Sequence, residues 1–434
     1  MPLLLVLGYV WPEPNSSAAG WRMLSLLELY REQGWRIIFA SPAERGPHRF
    51  DLATWQIEEV QIALNDSSFD QWVGQLQPDV VLFDRFMLEE QFGWRVEAAC
   101  PNALRLLDSE DLHCLRAARQ QAWRAGRALE AADLNSELAV RELAAIFRCD
   151  LTLTIAEYEM QLLQQHYQVP ASQLLYCPFL LSEPVNAASH DLSAAAQMSH
   201  RQHFVSIGNF RHEPNWQSVL WLKQQIWPLI RAELPKAELH IYGAYPPPKA
   251  TALHAPQQGF FIKGWAEDAK AVLAQARVCL APLPFGAGLK GKFIDAMQCG
   301  TPAVTTAVGA ESMMLNGQWC GLIADTAPEI AAAAIMLYQD EQLWLEKQQL
   351  GYQILQQKFA KSQLQPAIWQ RLEQVRHDLP SHRQGHFLSA MLRFHQYRST
   401  KFMGQWIEVK HQLAQVQEQF AQTQIAEGHT DESH

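Results

Sequence analysis

The stretch from Ala281 to Thr306, APLPFGAGLKGKFIDAMQCGTPAVTT, holds the densest chemistry in the chain. An apolar run leads into a glycine-rich loop, and a helix is predicted to start near Lys292. The first turn of a helix presents backbone N–H groups with no intrahelical partner, and such a turn binds anions. Gly286 and Gly288 would let the backbone approach a phosphate closely, while Lys290 and Lys292 would add charge that neutral amides lack. The combination suits a diphosphate. Taken alone, the loop reads equally well as a strand-to-helix turn with two solvated lysines.

A second cluster stands in RLLDSEDLH, where Asp108, Asp111 and His113 fall within six residues at the end of a predicted strand. A carboxylate or imidazole there could orient or deprotonate a hydroxyl. The alternative is a helix N-cap beside a surface histidine, since aspartate at a helix start accepts from free N–H groups. The opening loop, Asn15 to Arg22 with Gly20, is expected beside the same cleft. His382 and His386 have the i, i+4 spacing of a metal pair, but Gly385 intervenes and no third ligand is evident, so no metal is expected. Among the tryptophans, Trp265 and Trp11 are candidates for sugar stacking through neighbouring motifs, and Trp216 and Trp406 read as packing. Arg116, Arg119, Arg124 and Arg127 read as a solvated helix face or, less favourably, as a patch for anionic lipid.

Positioning these residues takes a large scaffold. At roughly 150 residues per domain, 434 residues suggest two or three domains. Thirty-five Lys and Arg against 45 Asp and Glu give a net charge of −10, which opposes broad attraction to nucleic acid. The 48% of hydrophobic residues supply material for sizeable cores. The apolar run at Leu3 to Val10 lacks a basic flank and is too short for a bilayer span, so it reads as a buried strand. Seven scattered cysteines without a C-x-x-C pair argue against a disulfide framework, and a cytoplasmic setting fits.

Short apolar runs alternate with helical segments at Leu3 to Val10, Arg36 to Ala40, Val80 to Phe83, Ala103 to Leu107, Leu151 to Ile155 and Leu174 to Cys177. They predict a parallel sheet covered on both faces. After a Ser-, Ala- and His-rich stretch at 183–203, expected as a linker, the alternation resumes. The second set is His203 to Ile207, Leu239 to Tyr242, Phe260 to Lys263, Val278 to Pro282, Ala303 to Thr305 and Gly321 to Ala324. The reading is therefore two doubly wound α/β domains, 1–182 and 204–355, followed by a helical tail at 356–434 whose last residues are disordered. Ile407, Leu413, Val416 and Phe420 give that Gln-rich tail a rough apolar face. Two such domains form a cleft at the carboxyl ends of their strands, where ligands bind in these folds.

The loop at 281–306 resembles the donor-binding signature of GT-B glycosyltransferases of the large retaining group-one branch. The resemblance extends through PEPNSSAAGWR, PDVVLFDRF, RLLDSEDLH, RCDLTLTIAEYE, FVSIGNFRHEPNW, IYGA with Gly243, and FIKGW. It implies that the second domain holds a nucleotide-diphosphate sugar as co-substrate, without further cofactor, and that the first holds a glycan, lipid-linked or small-molecule acceptor. Gly286, Gly288 and Leu289 would contact the diphosphate through their backbone, and Asp295 stands where the family usually has a glutamate on the ribose hydroxyls.

The chain also departs from the pattern. Ala287 replaces a glutamate that normally touches the transferred sugar, and Asn209 and Pro214 replace a customary Arg and Lys. Lys290, Lys292, Arg211 or His212 would have to supply the missing charge. The resemblance implies a retaining, metal-independent transferase of bacterial surface polysaccharide assembly, brought to the inner face of the membrane if its acceptor is lipid-linked. A nucleotide-sugar epimerase and a non-catalytic binding protein of the same fold are the alternatives.

Overall fold

The computed structural model describes residues 1–182 and 198–428. Seven parallel strands form the first sheet: β1 Leu3–Leu7, β2 Arg36–Ser41, β3 Glu58–Gln61, β4 Val80–Asp84, β5 Leu104–Asp108, β6 Leu151–Thr154 and β7 Leu174–Tyr176, in the order β3-β2-β1-β4-β5-β6-β7. Six more form the second: β8 Gln202–Ile207, β9 Leu239–Tyr242, β10 Phe260–Gly264, β11 Ala276–Leu280, β12 Ala303–Thr305 and β13 Gly321–Ile323, in the order β10-β9-β8-β11-β12-β13. Both sheets are doubly wound, with helices on both faces.

The strand sequences follow from this layering. In β1, Leu3, Leu5 and Leu7 enter one hydrophobic cluster and Leu4 and Val6 enter the cluster on the opposite face. Successive side chains point to opposite faces, so a central strand covered on both must be apolar throughout. The exception is β3, EEVQ, an edge strand with no fully buried residue, which left no apolar run to read. Of the expected linker, residues 183–197 lie outside the described part; Met198–His200 form one turn and β8 already begins at Gln202.

The chain returns to the first domain after the helix Glu341–Lys358. Leu181 accepts from the Lys361 N–H at 2.9 Å and donates to the Phe359 carbonyl at 2.8 Å, which stitches the crossing in place. In the next helix, Lys361–His377, Ile368, Leu372 and Val375 then enter the same cluster as Trp35 and Leu4. The final helix, Phe387–Gly428, packs its first half on the helices Phe86–Ala99 and Glu137–Arg148. There the Tyr397 hydroxyl donates to Glu89 at 2.7 Å. Trp406 is not a packing residue as its sequence context suggested: it lies beyond that contact and is 61% exposed. Among the described residues, no helix is long and apolar enough to cross a membrane.

Candidate active site

The loop after β11 leaves the second sheet between β8 and β11, the point at which strand order reverses. Its helix spans Gly291–Gln298, one residue earlier than expected, with Lys290 at the cap position in extended conformation. Gly288 has φ +63, and a Cβ there would stand 2.7 Å from Asp111 Cβ in the first domain. It must be glycine for both reasons. At Gly286 the nearest atom to an added Cβ is 3.7 Å away, so no protein contact demands glycine there. An added Cβ at Gly291 would meet Ala18 Cβ at 2.7 Å, so this helix starts against the start of the first-domain helix Ala18–Glu32. Ser17 caps the latter by accepting from the Gly20 N–H at 3.1 Å. Gly20 in turn lets that helix lie on the Glu13 backbone, and Gly243 lets the ends of β8 and β9 approach at the Gly208 carbonyl. Leu289 is buried in the second-domain core.

Two lysines point into this loop. Lys290 Nζ donates to the Gly288 carbonyl at 2.8 Å, and Lys292 Nζ donates to Asn215 at 2.7 Å. Burial pushes both ammonium groups down to about 8; for Lys290 the carboxylates of Glu311 and Glu159 oppose that fall. Asn215 also donates to the Asn209 carbonyl at 3.0 Å, so Lys292 delivers its charge to the neighbourhood of Asn209 and Pro214. Asn209 itself accepts from the Arg211 N–H at 2.8 Å. The Arg211 guanidinium stacks 3.6 Å from the Tyr245 ring centroid, turned to the rim, and His212 next to it is exposed. Burial, reinforced by nearby Asp268 and moderated by Lys270, pushes the Asp295 carboxyl up to about 6. Trp265 donates to the Asn15 carbonyl at 3.1 Å and stacks on His48, on the seam between the domains. Trp11 is 2% exposed, donates to the Ala43 carbonyl and packs on Phe39; it fills the core and offers no face to a sugar.

Opposite the loop lie the carboxyl ends of β4 and β5. Asp108 is fully enclosed, and Arg22 grips both its oxygens at 3.1 Å or less while also donating to the Cys177 carbonyl. Its carboxylate anchors a buried ion pair and does not reach the cleft. Asp111 does reach it, against Gly288, and is bonded by Arg116. Burial alone would raise its pKa, but the Arg116 guanidinium holds it well below the usual carboxylate range. His113 opens the helix His113–Arg124, with its ring 3.5 Å from Glu142 and 3.9 Å from Asp111.

Glu110, between these residues, has left-handed backbone (φ +59), and its Oε1 has no hydrogen-bond partner among the described residues. Burial and the neighbouring Asp108 push its carboxyl up to about 8, against the pull of Arg85 and Arg22. The shift favours the protonated acid at neutral pH. Asp84, which accepts from the Tyr9 N–H at 2.9 Å, is likewise raised by burial.

Three contacts bind the two walls together. Glu159 accepts at one oxygen from the N–H groups of Leu112 at 2.9 Å and Gly288 at 2.8 Å. Burial and Asp111 push this carboxyl up to about 8. Arg119 donates to the Gly286 carbonyl at 2.9 Å and pairs with Glu311 at 2.7 Å. Arg124 reaches Glu213 at 3.1 Å. The arginine-rich helix is thus not an idle solvated face, because Arg116, Arg119 and Arg124 are all engaged across or along the cleft. Among the described residues no group of three metal-ligating side chains is found, and His386 Nδ1 donates to the His382 carbonyl at 2.6 Å.

Residues 201–340 match the family model described as Glycosyl transferases group 1. The match falls within the second domain. The glycosyltransferase fold extends over both domains. HepE from Anabaena, in complex with UDP-glucose, superposes with a TM-score of 0.64 at 14% identity, covering 86% of this chain and 100% of that one. Sucrose-phosphate synthase from Thermosynechococcus elongatus gives 0.62 at 16% identity, covering 86% and 99%. WaaG, described as a glycosyltransferase involved in lipopolysaccharide biosynthesis, gives 0.59 at 11% identity, covering 84% and 98%. No curated protein matches the sequence.

Several residues of this cleft escaped the sequence. Glu110 gave no signal, because its backbone conformation is imposed by the turn that ends β5. Glu159 follows β6 within TIAEYE and Glu311 follows β12, so both stand after the carboxyl end of a strand. That position was the available signal. Arg119 was legible as a charge but not as a bridge, since its partners lie 167 and 192 residues away.

Proposed function

We propose that the protein transfers a sugar from a nucleotide-diphosphate donor, bound by the second domain, to a hydroxyl of a glycan, lipid-linked or small-molecule acceptor on the first. The observation that carries this reading is the loop Gly286–Lys290, set at the strand-order reversal with buried Lys290 and half-buried Lys292 beside a helix start and an acidic wall opposite. Breaking a sugar–phosphate bond leaves negative charge on the diphosphate and positive character on the ring. The buried Lys290 ammonium, Lys292 and free N–H groups answer the first; the Asp111 carboxylate on the opposite wall answers the second. In this reading the diphosphate takes the Gly288 N–H from Glu159, Asp295 holds the nucleoside, and Lys292 replaces the charge absent at Asn209 and Pro214. Metal-independent transfer with retention is part of the proposal, as is a role in bacterial surface polysaccharide assembly at the inner face of the membrane, a setting supported by the stated role of WaaG.

The test is thermal stabilisation of metal-free protein by a panel of nucleoside diphosphates and their sugars. Ligand at about 100 times its Kd adds roughly 2.7 kcal/mol. The expected result is a shift with one base that is lost in Lys290→Ala; no shift with any member of the panel overturns the donor site. A second reading, a binding protein without turnover, is favoured by Ala287 and by the Gly288 N–H being already taken. Binding of a sugar nucleotide with neither hydrolysis nor transfer in the presence of extracted glycans would establish it.

A further inference from the structure

The last helix outruns the body it packs on. Its final contacts are Gly404 against Trp94, where an added Cβ would meet the ring at 3.4 Å, and Glu408, which accepts from the Ser67 N–H at 3.2 Å. From Val409 to Gln419 every side chain is exposed, and the helix continues to Gly428. Residues 409–428 thus form a rod about 30 Å long at 1.5 Å per residue. Most helical stability in proteins comes from packing of an apolar face rather than from propensity.

This rod carries an ordered seam. Phe402, Trp406, Val409, Leu413 and Val416 are spaced alternately by four and three, and Phe420 continues the series. That is a heptad repeat, with Trp406, Leu413 and Phe420 at a and Phe402, Val409 and Val416 at d. The described members are 65, 61, 60, 56 and 45% exposed in chain order. A stripe of two apolar positions in seven is the width of a coiled-coil seam and is narrower than the face that buries a helix on a globular core.

We infer that this seam joins copies of the chain to one another as a parallel coiled coil. The flanking e and g positions are Met403, Gln405, Lys410, Gln412, Gln417 and Gln419. With one charge among them, identical helices do not repel each other and no oppositely charged partner is selected. A membrane surface fits less well. Helices that lie on bilayers carry Lys and Arg on the polar face, whereas this rod sets Lys410 against Glu408, Glu418 and Glu427. Leucine at a with β-branched residues at d favours three or four strands over two.

Multi-angle light scattering on the full chain at tens of micromolar, with and without anionic vesicles, tests the inference. The expected mass is a multiple of 49.3 kDa that falls to 49.3 kDa in Leu413→Glu/Val416→Glu and persists in Leu413→Ile. Both glutamates lie beyond the packed body, so the resistance of the two domains to limited proteolysis should match the wild type and exclude misfolding. A monomeric wild type overturns the inference, whether or not it binds vesicles. So does an oligomer that survives the double substitution.

Discussion

Lys290→Met should make the unliganded protein more stable and the donor site inactive. Lys290 is 7% exposed, and its ammonium is held at about 8 against an ordinary 10.5, chiefly because burial strips its water. At 1.36 kcal/mol per tenfold change in proton affinity, keeping that charge below pH 8 costs the folded state about 3 kcal/mol. The sign follows from proton counts. Between pH 8 and 10.5 the unfolded chain holds the proton and the folded chain does not, so wild-type stability rises with pH across that window. Methionine fills the same volume without the charge. The second domain should then melt several degrees higher at pH 7, since 1 kcal/mol corresponds to about 2–4 °C for a domain of this size. The gain should shrink at pH 9.5, and stabilisation by a nucleoside diphosphate should weaken at least tenfold. Differential scanning calorimetry of both proteins at the two pH values, with and without ligand, reads all three effects. A lower melting temperature at pH 7, or a gain of the same size at pH 9.5, refutes the reasoning.

Asp295→Ala should weaken nucleoside diphosphate binding by about 1.5–3 kcal/mol, the range for a hydrogen bond to a charged group, while inorganic pyrophosphate binding stays unchanged in calorimetric titration. Arg119→Met frees both the Gly286 carbonyl and Glu311, so kcat/KM for transfer should fall at least tenfold. Adding Glu311→Gln should restore stability in part, which urea unfolding would show. Arg22→Met leaves Asp108 charged and unpaired in the core and should cost about 3–5 kcal/mol in urea unfolding, whereas Arg22→Met/Asp108→Leu should cost less than that.

The parallel-sheet architecture was legible because central strands buried on both faces are apolar along their whole length. Twelve of the strands carry an apolar run visible in the sequence, central β1 along its whole length, and the edge strand β3, with Val60 as its one apolar residue, does not. The donor-side loop was legible because glycine and lysine at a strand-to-helix junction leave a local signature. The acidic wall was only half legible. Sequence alone could not tell that Asp108 turns inward to Arg22 while Asp111 faces Gly288, since both choices depend on residues 86 and 177 positions away. Glu110 and Glu159 acquire their raised proton affinities from enclosure by distant parts of the chain, a property with no local trace.

The return of the chain to the first domain has a consequence for its synthesis. One face of the first sheet is closed by Ile368, Leu372, Val375 and Leu379, which leave the ribosome after the whole second domain has been made. The amino-terminal half therefore waits with Leu4, Val6, Trp35 and Tyr30 incompletely covered while the second domain, contiguous in sequence, completes its own core. Folding runs against the usual order in which the first domain made is the first to finish. The segment most exposed to chaperones and to aggregation during translation is the first domain rather than the second.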